Sequence, residues 1–392
     1  MTGTSAADGL RMQSSAGRVV VAPDKFKGSL SAAEAAARLA AGLRRTLPAL
    51  AVATVPVADG GEGTVDAVVD AAGFRRLRAA AAGPTGRPVA ASFAVKGETA
   101  VIETAQACGL ALLPGGVKAA LTATSYGAGE LIRAALDAGC TRIVLGLGGS
   151  ACTDGGAGLV QALGARLFDA DGAGLPHGGA ALARIEELDI AALRERLLGV
   201  EVIVACDVDN PLLGPSGAAA VYGPQKGASP EDVRTLDAAL ERWSTVVAKA
   251  VGTDEYASRP GAGAAGGIGF GALALLGARL RPGIELMLEL AGFAEKARGA
   301  RLVITGEGSL DGQSLRGKAP AGVARAASGL GVPVVAVCGV CRLDAEQVRA
   351  AGFSGAYQLI DIESDVARCV ADAGALLERL AERIGREHVG GR

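Results

Sequence analysis

Short loops that combine glycine with an acidic side chain recur at the ends of apolar runs in this sequence. Glycine lets backbone N–H groups converge on phosphate oxygens, and a following helix N-terminus adds the positive end of its dipole. Carboxylates at the same rim can hold Mg²⁺, which bridges phosphates. Because phosphoryl transfer depends on positioning and on charge stabilisation, this combination favours that chemistry over plain turns. The loops span residues 59–63, 148–156, 206–210 and 306–311.

Two further stretches match the spacing of known nucleotide-binding motifs, but the residues around them do not fit those motifs. Residues 261–266 spell GxGxxG with no strand before them, so we expect a flexible or ligand-covering loop over 261–271 rather than a dinucleotide site. Residues 312–318 spell GxxxxGK, but Ala319 stands where a P-loop needs Ser or Thr. Lys318, at the start of a predicted helix, remains a candidate phosphate contact.

The composition narrows the class of protein. The 392 residues indicate two or three domains, and the 39 Lys and Arg nearly cancel the 41 Asp and Glu, which argues against nucleic-acid binding. No run is apolar enough to span a bilayer and no secretory signal is evident, so we expect a cytoplasmic protein with no membrane partner. With two His and a lone CxxC at Cys338 and Cys341, neither a His-based triad nor a zinc site is indicated. Asp, Glu and Lys are therefore expected to carry the chemistry.

Strand-like and helix-like runs alternate along the chain, which predicts βαβ units and a mostly parallel sheet in an α/β fold. The predicted strands are 18–22, 51–57, 100–103, 142–147, 200–205, 302–305, 333–337 and 356–360. The first predicted helix is capped by Ser29 or Ser31 and runs to about residue 46. The other predicted helices cover 65–72, 124–138, 156–166, 231–250, 319–328, 344–351 and 364–385. Segments 80–100 and 166–230 are richer in Gly and Pro and are expected to be irregular.

Turn signals divide these elements into two domains. The Gly-Pro turn at 83–86 marks the entry into an inserted domain, and the Arg-Pro-Gly turn at 281–283 marks its exit. We therefore expect a discontinuous α/β domain from 18–80 and 285–388, an inserted α/β domain at 81–284 that carries the phosphate-binding loops, and a disordered tail at 1–17.

The order of the motifs along the chain is unusual. They are APDKFKGSL at 22–30, PVADGGEGT at 56–64, GLGGS at 146–150, TDGG at 153–156, CDVDNPLLG at 206–214, GPQKG at 223–227 and TGEG at 305–308. This series resembles the bacterial glycerate kinase family, type 1, over about residues 18–385. The resemblance implies phosphorylation of D-glycerate, usually at the 2-hydroxyl, with ATP and Mg²⁺. It also implies a flavodoxin/Rossmann-like domain interrupted by a second α/β domain.

Roles for single residues combine this resemblance with their chemistry. The glycerate carboxylate needs a cation or a cluster of N–H groups, which Lys27 and Ser29 could supply unless Lys27 is a solvated loop residue. Asp207 is a candidate general base or metal ligand, and the sequence leaves open which carboxylate is the base. Expected catalytic residues are Asp207, Lys27, Asp311 and Lys318. Expected substrate contacts are Lys25, Ser29, Asp59, Gly60, Gly61 and Glu62. Expected ATP contacts are Gly148, Gly149, Ser150, Thr153, Asp154, Gly155, Gly156 and Lys226. Expected metal ligands are Asp59, Asp154 and Glu307.

Some positions depart from the family pattern, and some alternatives stay open. The family more often has Ser where Lys25 stands and Arg where Ser309 stands, so Lys25 could offset the missing positive charge. Asp59 and Glu62 could instead cap their own helix. The active site is expected in a cleft between the domains. The alternatives are a 3-phosphoglycerate product, another small hydroxy acid as substrate, or a nucleotide- or anion-sensing protein, and a homodimer is left open.

Overall fold

The computed structural model describes residues 17–116, 118–315 and 318–390, in two compact units. The first unit comprises Met1–Val57 and Leu288–Arg392, and the second comprises Ala58–Met287. Except for Gly17, the expected disordered tail lies outside the described residues.

Thirteen strands and fifteen α-helices follow one another along the described chain. The strands are β1 Val19–Pro23, β2 Val52–Thr54, β3 Arg75–Ala82, β4 Pro88–Lys96, β5 Thr99–Glu103, β6 Arg142–Gly146, β7 Arg166–Phe168, β8 Glu187–Asp189, β9 Glu201–Ala205, β10 Arg279–Arg281, β11 Leu302–Leu310, β12 Val334–Cys341 and β13 Gly355–Gln358. The helices are α1 Ala32–Thr46, α2 Thr64–Ala72, α3 Ala105–Cys108, α4 Tyr126–Asp137, α5 Ala157–Ala162, α6 Ala191–Arg196, α7 Ala218–Tyr222, α8 Pro230–Val251, α9 Ala264–Leu275, α10 Gly283–Leu290, α11 Phe293–Ala297, α12 Ala319–Ser328, α13 Ala345–Ala350, α14 Val366–Ala371 and α15 Ala373–Ile384.

The first unit is built on a parallel five-stranded sheet in the order β13-β12-β11-β1-β2. Counted within this unit alone, the order is 2-1-3-4-5, which is the flavodoxin-like arrangement. The β1 residues are buried, as parallel strands covered by helices require. In this arrangement ligands bind where the strand order reverses, at the carboxyl ends of β1 and β11. The α/β fold class and the flavodoxin-like sheet are thereby confirmed.

The second unit contains a six-stranded sheet in the order β10-β9-β6-β5-β4-β3. Its strands β10, β9, β6 and β5 run parallel, whereas β5, β4 and β3 are antiparallel. Strands β7 and β8 form a separate antiparallel pair. Aliphatic side chains such as Ile102, Leu145 and Leu131 fill the core beside the buried Trp243. The carboxyl ends of the parallel strands carry the loops that were expected to bind phosphate.

The entry to the second unit differs from the expected boundary. The turn at 83–86 joins β3 to β4, with the Gly83 amide donating to the Arg87 carbonyl (2.7 Å), so segment 80–100 is a hairpin rather than irregular. The division falls at Val57, before α2, and not after residue 80. Strand β3 is rich in Ala and Arg, which have little intrinsic strand preference, and pairing with β4 forms it. At the exit, the division falls inside α10.

Two glycine-rich segments that were expected to be loops are more ordered than a loop. Strand β11 continues through Leu310 in register with β12, because Gly306 lets the strands approach: a Cβ there would lie 1.9 Å from the Val337 carbonyl oxygen. The segment at 261–271, expected to be a flexible or ligand-covering loop, is mostly buried: a turn leads into α9, the backbone leaves the helical conformation at Ala265, Gly266 and Gly267, and regular helix follows from Ile268. A Cβ at Gly269 would lie 2.1 Å from the Gly261 carbonyl oxygen, so glycine serves close packing there.

Candidate active site

A cavity of about 270 Å³ lies at the carboxyl ends of β6 and β9 in the second unit. It is lined by parts of three glycine–acid loops together with the segment that precedes α8 and the start of α9. The predicted site residues that line it are Asp59, Gly61, Gly148, Gly149, Ser150, Asp207 and Lys226. Residues that are distant in sequence thus meet around one space that can hold a small ligand.

Glycines let these loops lie against the strand ends. A Cβ at Gly60 would approach the Ala205 Cβ to 2.7 Å, and one at Gly146 would lie 2.3 Å from the Gly60 carbonyl oxygen. A Cβ at Gly148 would lie 2.9 Å from the Gly61 Cα. Backbone therefore packs on backbone, and larger residues would push the loop at 59–61 away from the cavity. Gly60 supports the site in this way without lining the cavity itself.

The two acids of the cavity belong to loops that converge on the start of α10. The Gly61 amide donates to Asp59 Oδ1 (3.2 Å), and the Gly283 amide donates to Asp207 Oδ1 (2.8 Å). A Cβ at Gly283 would lie 1.9 Å from the Asp59 carbonyl oxygen and 2.9 Å from Asp207 Oδ2. Asp207 is exposed, and it places a negative charge where the α10 dipole stabilises one. Glu62, also predicted, is exposed and lies outside the lining.

Lys226 brings a buried cation to the wall of the cavity. Its side chain is 2% exposed, and Nζ donates to Ser150 Oγ (3.1 Å) and to the Cys152 carbonyl oxygen. Burial lowers the pKa of Lys226, while the nearby Cys152, Cys108 and Asp154 act in the opposite direction. Among the residues that the structure describes, no carboxylate forms a salt bridge with this ammonium group. A buried cation without such a partner favours an anion in the adjacent space.

Ser150 is oriented by that lysine. Its oxygen accepts a hydrogen bond from Lys226, so its own proton can be donated to a ligand oxygen. The backbone around it is fixed, because the Ala151 amide donates to the Cys108 carbonyl (2.7 Å) and the Leu110 amide donates to the Gly149 carbonyl (2.8 Å). Gly149 has a positive φ of 63°, which glycine adopts without strain.

The second half of the same loop turns into the core rather than toward the cavity. Asp154 is fully buried, and its oxygens accept bonds from the Ser125 amide (2.8 Å) and hydroxyl (2.9 Å) and from the amides of Gly156 (3.2 Å) and Gly158 (3.3 Å). Asp154 therefore caps α5 and fastens it to the start of α4. Because these donors engage both carboxylate oxygens and Asp154 does not line the cavity, the structure gives no support to its predicted role as a metal ligand. The predicted ATP contacts Thr153, Gly155 and Gly156 are likewise buried outside the cavity lining.

In the first unit, the predicted residues Lys25, Lys27 and Ser29 lie on the loop between β1 and α1. The buried Phe26 anchors this loop through a bond from its amide to the Leu30 carbonyl (2.8 Å). The loop lies beside the end of β11, where the Asp24 amide donates to the Gly306 carbonyl (2.8 Å). These residues thus lie at the point where the strand order of this sheet reverses.

The contacts of Asp311, Lys318 and Glu307, the remaining predicted residues of the first unit, differ from one another. Asp311 Oδ1 accepts bonds from the Gln313 amide (2.8 Å) and the Ser314 amide (3.3 Å), and the Gln313 bond is the main cause of its lowered pKa. A lowered pKa makes this carboxylate a weaker base, which favours a turn-forming role. Lys318 is the N-cap residue of α12, as expected, and Glu307 is half-buried within β11.

The structure adds a residue that the sequence interpretation missed. Glu103, at the end of β5, is 2% exposed, and its Oε1 accepts a bond from the Val65 amide (2.5 Å) at the start of α2. Burial raises the pKa of Glu103, partly offset by the bond from Val65. Its carboxylate therefore holds α2, and with it the loop at 59–63. The signal was available, since Glu103 ends an apolar predicted strand just as Asp207 follows one.

Two findings on the described residues concern metal-binding clusters and membrane-spanning helices. Within residues 17–116, 118–315 and 318–390, no three His, Cys, Asp or Glu side chains group so that they could hold a metal ion by themselves. In the same residues, no helix is long and apolar enough to cross a membrane.

Comparison with known proteins now adds to this geometry. The model of the glycerate kinase family matches residues 19–389. The chain belongs to the glycerate kinase family. It is 44% identical to a glycerate kinase of Bacillus subtilis, over 94% of this chain and 96% of that protein, and 44% identical to a glycerate 2-kinase of Escherichia coli, over 88% and 90% respectively. A crystal structure described as that of a glycerate kinase 2 from Salmonella typhimurium superposes with a TM-score of 0.84 at 41% identity, covering 95% of this chain and 98% of that one.

Membership of the glycerate kinase family confirms the resemblance seen in the sequence motifs. The protein is therefore a kinase, an enzyme that transfers a phosphoryl group, which rules against the sensing protein considered as an alternative. A small-molecule substrate follows from this membership.

Proposed function

We propose that this kinase transfers the terminal phosphoryl group of ATP to the 2-hydroxyl of D-glycerate. The observation that carries the proposal is the cavity in which Asp59 and Asp207 face the same space as Lys226 and the glycine loop at 148–150. Family membership supports glycerate as the acceptor. Acids, a buried cation and backbone N–H groups at one cavity are the parts that phosphoryl transfer uses.

Asp207 acts as the general base in this proposal. The acceptor hydroxyl must lose a proton as it attacks phosphorus, and a carboxylate within hydrogen-bond reach can take it. Asp207 borders the cavity and its loop is held by the Gly283 amide, so its carboxylate is both accessible and oriented. Asp311 is a weaker candidate because its oxygen already binds two amides of its own turn.

Lys226 and Ser150 stabilise the charge of the transferring phosphoryl group. The ammonium group is buried, so its attraction for an anion is screened less than that of a surface lysine. The Ser150 hydroxyl, with its oxygen engaged by Lys226, donates its proton to a phosphoryl oxygen. Such donors, fixed in place before the reaction, cost no reorganisation when negative charge develops.

The residues of this cavity also fit Mg²⁺. In phosphotransferases Mg²⁺ is held by one or two carboxylates together with substrate phosphates, and Asp59 offers one such carboxylate at the rim of the cavity, since Asp207 serves as the base. When bound, Mg²⁺ supplies charge neutralisation for the phosphates and aligns them. The structure gives Asp154 other partners, so it is not included here.

The loops of the first unit enter the proposal through their charges. In the sequence motifs, Lys25 and Lys27 are the candidate cations and Ser29 the candidate hydroxyl donor for the carboxylate of glycerate, and Lys318 is the candidate cation for a phosphate. Their assignment rests on the sequence motifs and on their place at the strand-order reversal of the flavodoxin-like sheet. A homodimer and a cytoplasmic location also stay predictions.

Product analysis tests the proposal. The protein is incubated with MgATP and D-glycerate, ADP release is measured, and the product is identified by ³¹P and ¹³C NMR. We expect 2-phosphoglycerate. A 3-phosphoglycerate signal would overturn the assigned hydroxyl, and turnover only with another hydroxy acid would overturn the assigned acceptor.

A variant pair tests the assigned base. Asp207→Asn should lower kcat by at least about 100-fold, the usual contribution of a general base. Asp209→Asn is the matched control, because Asp209 is exposed on the same loop and does not line the cavity. It should keep activity within about twofold of wild type. Equal losses in the two variants would remove Asp207 from the base role.

A further inference from the structure

Ala265 has an unusual backbone conformation in the wall of the cavity. Its φ is 53° and its ψ is 36°, the left-handed region that L-residues avoid. Among the described residues it is the one non-glycine position with a positive φ. Ala265 lines the cavity together with Lys226 and the glycine loop at 148–150.

The neighbouring glycines impose this conformation. Gly266 and Gly267 also have positive φ, of 75° and 89°. A Cβ at Gly266 would lie 2.1 Å from the Cys152 carbonyl oxygen and 2.7 Å from Lys226 Nζ, and one at Gly267 would lie 2.8 Å from the Gly155 Cα. The Gly155 amide donates to the Gly266 carbonyl (3.1 Å) and locks the segment in place. Close packing thus demands glycine at 266 and 267 and fixes the chain at Ala265 as well.

Glycine would adopt this conformation at position 265 with less strain than alanine, since only alanine carries a Cβ. Two contacts can offset that strain. One is packing, because Ala265 is partly buried against the core of the second unit. The other is contact with a ligand, because Ala265 also lines the cavity of about 270 Å³.

We propose that the Ala265 methyl group limits the size of the acceptor acid, so that a three-carbon hydroxy acid is accepted and a four-carbon one is excluded. The proposal rests on the proposed function, since it takes the acceptor to be bound in this cavity. Ala265 is then a specificity-determining residue. A close wall discriminates against one extra carbon by roughly 10-fold or more in kcat/KM.

The test compares D-glycerate with a four-carbon trihydroxy acid, D-erythronate, in wild type and in Ala265→Gly. The measured quantity is the ratio of kcat/KM for the two acids, which does not depend on the amount of folded enzyme. We expect the ratio to move toward the four-carbon acid by roughly 10-fold in Ala265→Gly. Ala262→Gly is the matched control, because Ala262 is fully buried on the same segment and does not line the cavity. It adds the same backbone freedom and should leave the ratio unchanged.

The outcomes separate this proposal from the proposed function. An unchanged ratio in Ala265→Gly, or an equal change in Ala262→Gly, overturns the role of Ala265 while glycerate turnover upholds the proposed function. If wild type releases no ADP with D-glycerate, the proposed function fails. The same comparison is then made from binding, as the rise in melting midpoint that each acid causes. A shift of that binding ratio in Ala265→Gly alone supports the proposal, and no shift, or no binding of either acid, overturns it.

Discussion

Replacing Asp154 by Asn should cost stability rather than metal affinity. In wild type, Oδ2 accepts from the Ser125 amide, the Ser125 hydroxyl and the Gly158 amide, while Oδ1 accepts from the Gly156 amide. Asn offers one oxygen, so in its better orientation the Gly156 amide faces an NH₂ group and loses its acceptor. A buried donor without an acceptor costs about 1–3 kcal/mol, and three charge-assisted bonds become neutral at about 1 kcal/mol each. Because neighbouring terms are not additive, we expect a loss of about 3–5 kcal/mol.

Thermal unfolding monitored by circular dichroism measures this loss. A destabilisation of that size corresponds to a fall in the melting midpoint on the order of 10 °C. Asp209→Asn, on an exposed loop, should shift the midpoint by less than about 2 °C. Below the melting range, Asp154→Asn should need the same Mg²⁺ concentration for half-maximal activity as wild type. A variant with an unchanged midpoint and a raised Mg²⁺ requirement would refute the capping role and restore Asp154 as a metal ligand.

Three further predictions follow from the charges. Burial lowers the pKa of Lys226, so its ammonium form is lost as the pH rises through a value below the usual lysine range. We expect kcat/KM to fall in that pH range, and Lys226→Arg should move the fall to higher pH. Burial raises the pKa of Glu103 above its usual value, so protonation of Glu103 stabilises the fold at low pH, and this stability is lost as the pH rises through the raised pKa. Glu103→Gln should therefore remove this decline in the free energy of unfolding, and a decline of the same size in the variant would contradict the prediction. Lys25→Ser combined with Ser309→Arg should retain more turnover than Lys25→Ser alone, and equal turnover would refute the charge exchange.

Sequence reasoning predicted the parallel strands and most long helices, because both leave strong periodic signals. It missed β3, whose Ala and Arg residues have little strand preference, so pairing with β4 decides its structure. The turn at 83–86 was predicted correctly as a turn, but it joins the two strands of a hairpin and does not mark the division between the units. Strand β11 was ended too early because glycine in a sequence signals a loop, whereas Gly306 allows close strand pairing.

Within the candidate site, three of the loops singled out in the sequence line the cavity, but the sequence did not show which way their side chains point. Asp59, Asp207 and Lys226 line the cavity, whereas Asp154 turns inward. These acids follow strands or glycines in the same manner, so composition alone cannot separate them. Their directions depend on which amide donors lie within reach, and that is set by the packing of distant segments. Ala265 left no signal at all, because its significance lies in a backbone angle.

The caps of the second unit bear on how a phosphate is held there. A helix N-terminus of this unit would be the expected anion site, because its amides carry no intrahelical partner. Yet the start of α2 is engaged by Glu103, that of α5 by Asp154 and that of α10 by Asp207. The protein's own carboxylates already occupy these positions, so an added phosphate there would meet a negative charge. In the proposed function, anion binding in this cavity therefore relies on Lys226, Ser150 and loop amides rather than on the starts of α2, α5 and α10.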